Sequence, residues 1–264
     1  MRTLIAALGG LLLMLSLAYT YWYLPSLACP PTAEIRATLL QNAAAQQCAN
    51  VSITAEHCVV RLQGRVENAT QRARLQEAAE RIQGVSTVNA ALLRVIGPPF
   101  CEILDVLEPL QQQANARNIG LHVQLVNKAG QKVPVYTTGE NIIIEVTTPA
   151  AFDSFVYVDY YTTDGQVQHL FPNLQEALNH FPPRSVYTVG QPDERHMVWQ
   201  PYPPFGRELI TVLASRKPLV FQPKAPRYDP EPYNLYLDQL RQALPKERTD
   251  IGAAIYTIET RANP

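Results

Sequence analysis

The residue types best able to do chemistry crowd into one stretch of this sequence, VYVDYYTTDGQVQHLFPN at 156–173. Asp164-Gly165 is a strong short-range hairpin signal, so Asp159 and His169 would face each other across paired strands. An aspartate beside a histidine is the beginning of an acid–base pair. Catalysis would further need a nucleophile, an oxyanion site or a third group to orient the histidine. No G-x-S-x-G, HExxH or P-loop accompanies the pair. The stretch therefore reads as scaffold, with Asp164 a turn residue and Asp159 and His169 polar positions on a solvated sheet face. No catalytic residue, cofactor or metal is assigned, and the chain is expected not to be an enzyme. A zinc site finds no CxxC pair, and His57 beside Cys58 is the only histidine near the cysteines. An envelope hydrolase working through Asp159 and His169 is the enzymatic alternative.

The elements that must position this stretch have a period of two. LHVQLV (121–126), NIIIEVTT (141–148), SFVYVDYY (154–161) and QVQHLF (166–171) read as strands. So do VYTV (186–189), HMVW (196–199), ELITVLAS (208–215) and IGAAIYTIET (251–260). Short strands split by Gly and Pro turns point to an antiparallel β-sandwich. YNLYLDQLRQAL (233–244) reads as a helix stopped by Pro245. The proline-rich FQPKAPRYDPEPY (221–233) is a stiff connection suited to covering an edge strand. In LFPN, Pro172 ends the strand and Asn173 caps the turn after it. WQPYPPFG (199–206) offers Trp199, Tyr202 and Phe205 either to a partner or to the sandwich edge.

Lys and Arg number 22 against 23 Asp and Glu, a net charge of −1, which leaves no electrostatic footprint for nucleic acid. Leu4 to Leu24 is a mostly apolar run of 21 residues. As a helix at ~1.5 Å per residue it would span about 31 Å, enough for a bilayer core of ~30 Å. Tyr19, Tyr21, Trp22 and Tyr23 stand at its outer end, where aromatics meet headgroups. This is read as an uncleaved single-pass anchor. A cleaved signal ending at Ser26-Leu27-Ala28, or a lipoprotein lipidated at Cys29, stays open. Each exports the rest of the chain. Four cysteines at 29, 48, 58 and 101 agree with an oxidising compartment.

Between about Thr32 and Ile96 the pattern is helix, two strands, helix, strand. Ile35, Leu39, Leu40 and Ala43 share one helical face, and Leu75, Ala78, Ala79 and Ile82 another. VSITAE (51–56) and CVVRLQGRV (58–66) are strands joined at Glu56-His57. Gly84 is expected to cap the second helix, and VSTVNAALLRV (85–95) returns as a strand. The stretch VVRLQGRVENATQRARLQEAAERIQGVSTVNAALLRV (59–95), with its strand ending at Gly64 and its Gly84-Val85 pair, resembles the BON domain, a small bacterial envelope module. The resemblance implies an envelope location and binding of phospholipid or an envelope partner, with no catalytic residues. On that fold the cysteines read as staples, Cys48 with Cys58 and Cys29 with Cys101. Lipidation of Cys29 would leave Cys101 without its partner. A helix bearing Ile103, Val106, Leu107 and Leu110 comes next, then the polar joint QQQANARN (111–118).

VYVDYYTTDGQVQHLFPN and PFGRELITVLASRKPL (204–219), with Gly139-Glu140 before them, resemble the bacterial domain of unknown function 4384. The resemblance covers about 119–221. Enzymatic domains that often precede that family are absent here, so it carries over no activity. The expected organisation is α+β: an N-terminal transmembrane helix or signal (1–28), a small α/β BON-like module (29–101), a helical linker (102–118), and an antiparallel β-sandwich with a C-terminal helix and strand (119–264). The expected role is binding or assembling partners at the periplasmic face of a bacterial inner membrane, with service as an accessory to a secretion or signalling system among the options. A phospholipid-binding envelope protein is the alternative.

Overall fold

The computed structural model describes residues 30–43, 48, 50–191, 197–219, 230–244 and 248–263. The apolar run at 4–24, the Ser26-Leu27-Ala28 site, Cys29 and His196 lie outside them. Among the described residues no helix is long and apolar enough to cross a membrane. The chain divides into two compact units at Gly97 and Pro98.

In the first unit the elements are α1 (Thr32–Ala43), β1 (Asn50–Glu56), β2 (Val59–Val66), α2 (Ala69–Glu80) and β3 (Thr87–Val95). β1 pairs antiparallel with β2, and β2 pairs parallel with β3 across the α2 crossover. Ile35 and Leu39 of α1 and Leu75 and Ala79 of α2 meet Ile53, Val60, Leu62 and Leu93 in one core. The hairpin turn is His57-Cys58 rather than Glu56-His57. Both residues have left-handed φ, 49° and 65°, as a two-residue turn with the twist of its strands requires. Cys58 therefore sits in the turn and does not open β2. Cys48, Cys58 and Cys101 are disulfide-bonded.

Local chemistry sets the start of α2. The Asn68 side chain accepts from Gln71 N at 2.9 Å, and Gln71 Oε1 accepts from Glu67 N at 2.8 Å, a reciprocal cap. The helix closes at Arg81, earlier than Gly84. N68A should lower the unfolding free energy by about 1 kcal/mol, measurable by urea titration of far-UV circular dichroism. Gly64 is required for a different reason. Its φ is +122°, and a Cβ there would lie 2.1 Å from Asn50 O.

The second unit begins with α3 (Phe100–Ala116), which buries Ile103, Val106, Leu107 and Leu110 and lies along the last strand. The strands are β4 (His122–Val126), β5 (Val135–Thr137), β6 (Ile143–Thr147), β7 (Ser154–Tyr161), β8 (Gln166–Phe171), β9 (His180–Phe181), β10 (Val186–Val189), β11 (Arg207–Ser215), β12 (Glu231–Pro232) and β13 (Ile251–Arg261). The helix α4 (Tyr233–Ala243) precedes β13. One sheet has the order β10-β6-β4. The larger runs β12-β8-β7-β11-β13-β5, with β9 on β7. Alternate residues of each fill the space between: Ile142, Ile144 and Val146 from one side, Val156, Val158, Ile210 and Val212 from the other. All pairings in this unit are antiparallel save β13 with β5, which is parallel. The fold is thus α+β. Residues 197–199 form no strand.

Helices cover the outer face of the larger sheet. Tyr236, Leu237 and Leu240 of α4 are buried there. The end of the proline-rich connection, Glu231–Pro232, pairs with the edge of β8 at Val167 and Gln166.

Candidate functional site

The hairpin β7–β8 brings Asp159 opposite His169, as the Asp164-Gly165 turn implies. The sheet face that carries them is not solvated. Asp159 is 2% exposed, because α4 packs over that face through Tyr236 and β12 extends the sheet beside it. His169 Nδ1 is 2.7 Å from Asp159 Oδ1, and His169 Nε2 is 3.0 Å from Glu231 Oε1. Tyr236 donates its hydroxyl to Asp159 Oδ2 at 2.6 Å. Gln239 Nε2 donates to Glu231 Oε2 at 3.3 Å. The Tyr236 ring meets the imidazole edge-on, with centroids 4.8 Å apart.

The electrostatics follow from this closure. Burial alone would lower the His169 pKa. The hydrogen bonds and charges of Asp159 and Glu231 outweigh it and raise the pKa to about 9. The ring is therefore protonated at neutral pH, a cation between two buried carboxylates. Burial, then the Asp159 charge, pushes the Tyr236 phenol well up, so it stays a donor. A protonated imidazole cannot take a proton as a general base. Its two nitrogens face different carboxylates, so the three side chains do not converge on one point as metal ligands do. Among the described residues no cluster of His, Cys, Asp and Glu is placed to hold a metal.

Sequence reasoning missed Glu231 and Tyr236. Both lie more than sixty positions from His169 or Asp159 along the chain, and only the folding-back of α4 brings them in. It also missed the buried carboxylate on the other face of the same sheet. Glu208 is fully buried and accepts from the Tyr160 hydroxyl. Its pKa is raised by desolvation. Next to it Gln168 Nε2 donates to the Tyr202 hydroxyl. The signal lay in Gly206-Arg207-Glu208. Gly206 has φ +154°, and a Cβ there would stand 2.9 Å from Thr163 Cγ2. The glycine lets the chain cross close to the β7–β8 turn before Glu208 dives inward.

The aromatic loop divides. Trp199 is 3% exposed and packs in the core between the sheets, where its carbonyl accepts from Ile142 N at 2.8 Å. It is a packing residue, not a displayed one, because the loop enters the sandwich at this point. Tyr202 is exposed and Phe205 half-buried. In LFPN, Pro172 ends β8 and Asn173 is fully buried. The Asn173 side chain accepts from Gln175 N and Glu176 N, both at 2.9 Å, and so caps the turn.

Two family models match parts of the chain. A model of the BON domain matches residues 32–97, the whole of the first unit's helices and strands. A model described as a domain of unknown function, DUF4384, matches residues 135–218. That range takes in the β7–β8 hairpin, Asp159, His169 and Glu208, but not Glu231 or Tyr236. No curated protein matches the chain. The chain therefore carries a BON domain followed by a DUF4384 domain.

Proposed function

We propose that the protein is a non-enzymatic envelope protein, tethered to the periplasmic face of the inner membrane by the segment at 4–24, that binds or assembles partners there. The observation that supports a binding role is the closure of the His169 cluster. Its carboxylates, imidazole and phenol are spent on one another beneath α4. The BON domain supports an envelope association. Tethering would confine both domains to a layer beside the membrane and raise their effective concentration for partners in it.

Phospholipid binding is the second reading, and one surface favours it. Leu92 of β3 is 64% exposed. Arg61 and Arg94, both exposed, lie on the same strands facing away from α1 and α2. An apolar tip between two guanidinium groups suits an anionic headgroup region.

Photo-crosslinking of the full chain in native membranes tests both readings. Recovery of a discrete envelope protein is the expected result, while adducts with phospholipid alone would favour the second. Extraction of the chain by alkaline carbonate would overturn the tether.

A further inference from the structure

The larger sheet has a ladder that stops early. β5 pairs in parallel with β13 from Val135 to Thr137. Below that, Glu259 N still donates to Pro134 O at 2.9 Å. The next rung would run from the nitrogen of residue 134 to Thr257 O, and a proline has no N–H to give. Among the described residues no backbone group takes up Thr257 N–H or C=O after that point.

The edge of the smaller sheet faces the same opening. Ile142 N and Thr148 N of the β6 segment point toward the β10 side, where they bond Trp199 O and Ser185 O. By the alternation of an antiparallel ladder, Ile143, Glu145 and Thr147 bond β4 through Val126, Gln124 and His122. Val123 and Leu125 then turn their backbone groups outward. Val123 O accepts from the Tyr256 hydroxyl at 2.6 Å, in keeping with that direction. Among the described residues no other backbone group pairs with this edge. Between the two edges lies a cleft of about 360 Å³, lined by Val123, Leu125, Val133, Tyr256, Thr257 and Ile258 among others. Lys132 is its only charged lining residue among those described.

We propose that this cleft is a binding site for an extended peptide segment of another protein, added as a strand along the outer edge of β4. The occupant is specified by the walls. The outward N–H of Val123 and the outward N–H and C=O of Leu125 recognise main chain, which supplies donors and acceptors at that repeat. The apolar lining at Val133, Tyr256 and Ile258 takes side chains from every second residue of the segment. Lys132 favours an acidic residue at the rim. Among the described residues the β4 edge carries neither a proline nor a covering segment of the kind by which natural sheets block such pairing. Its sequence, HVQLV, has no Asp, Glu, Lys or Arg. This inference deepens the binding reading by assigning its site and partner class, and it holds whether or not the chain is tethered.

The test uses full-length protein in detergent and a phage-displayed library of random octapeptides. Selected peptides should alternate apolar and polar residues, and synthetic copies should bind saturably by fluorescence anisotropy. N-methylation at alternate residues on one edge should abolish binding. V123P removes an outward N–H without touching the β4–β6 ladder, and should weaken binding about tenfold, the equivalent of one hydrogen bond. Should V123P fail to fold, V133R blocks the cleft with a side chain and leaves every strand bond intact; it should weaken binding at least as much. Peptides that bind both variants as well as the wild type, or a library that yields no saturable binder, would overturn the site. Either failure leaves crosslinking to a membrane partner unaffected, so it is distinguishable from failure of the binding role.

Discussion

H169A should lower the unfolding free energy of the second domain by about 3–5 kcal/mol, the range found when one partner of a buried ion cluster is removed. The imidazole stands between Asp159 and Glu231, which are 2% and 6% exposed. Without it two carboxylates face each other across a site closed over by α4. On a solvated face the same substitution would cost within about 0.5 kcal/mol. Urea unfolding followed by tryptophan fluorescence separates these outcomes. Adding D159N and E231Q to H169A removes the stranded charges and should recover part of the loss. No recovery would mean that the ring acts by packing against Tyr236.

The same cluster fixes a pH dependence. The folded-state pKa of His169, about 9, lies above its unfolded value of ~6.5. Folding therefore takes up protons, and the contribution is fully present below about pH 6.5. It declines as pH rises through about 9, by a total of about 3 kcal/mol at ~1.4 kcal/mol per unit. Stability of the wild type should fall from pH 7 to pH 10, and H169A should lack this component. A wild-type profile that is flat over that interval would contradict the charged bridge.

W199A is the second large effect, a loss of about 3–5 kcal/mol as for other buried aromatic truncations. The indole lies among Ile142, Ile144 and Val189 in the core of the sandwich. Gly190 passes so near that a Cβ there would stand 3.2 Å from Trp199 Cδ1. The cost arises from an internal cavity, so thermal unfolding of purified protein reads it without any partner. Y202A alters an exposed side chain of the same loop and should cost much less. Equal effects of the two would mean that the loop acts as one surface unit.

Local pattern carried the first domain almost whole. Apolar faces of period 3.6 in α1 and α2 and a period of two in β1 and β2 are visible in a few residues each, and the structure follows them. The turn at His57-Cys58 lies one residue later than expected, because no Asn-Gly or Asp-Gly step marks its two left-handed positions. In the second domain the β7–β8 hairpin was equally legible, since Asp-Gly marks its turn. The burial of Asp159 was not. A strand with polar residues at alternate positions reads as half-exposed, and nothing nearby reveals that a helix seventy residues later will cover that face. Trp199 stayed open between display and packing for a related reason: an aromatic among prolines suits either until the opposing sheet is in place. The parallel partner of β13 was also hidden, because β5 has only three residues and parallel pairing leaves no turn between its strands to read.

The placing of β13 has a consequence for assembly. It lies between β11 and β5, and its rungs tie Glu259 to Val135. β5 thus has no neighbour in its sheet until a strand well over a hundred positions later arrives. Closing a loop of that size is entropically costly and slow to nucleate. A ribosome or translocon releasing this polypeptide from its amino end would deliver the BON domain ready to fold, while the larger sheet of the second unit waited, incomplete and dependent on protection, for β13 to emerge.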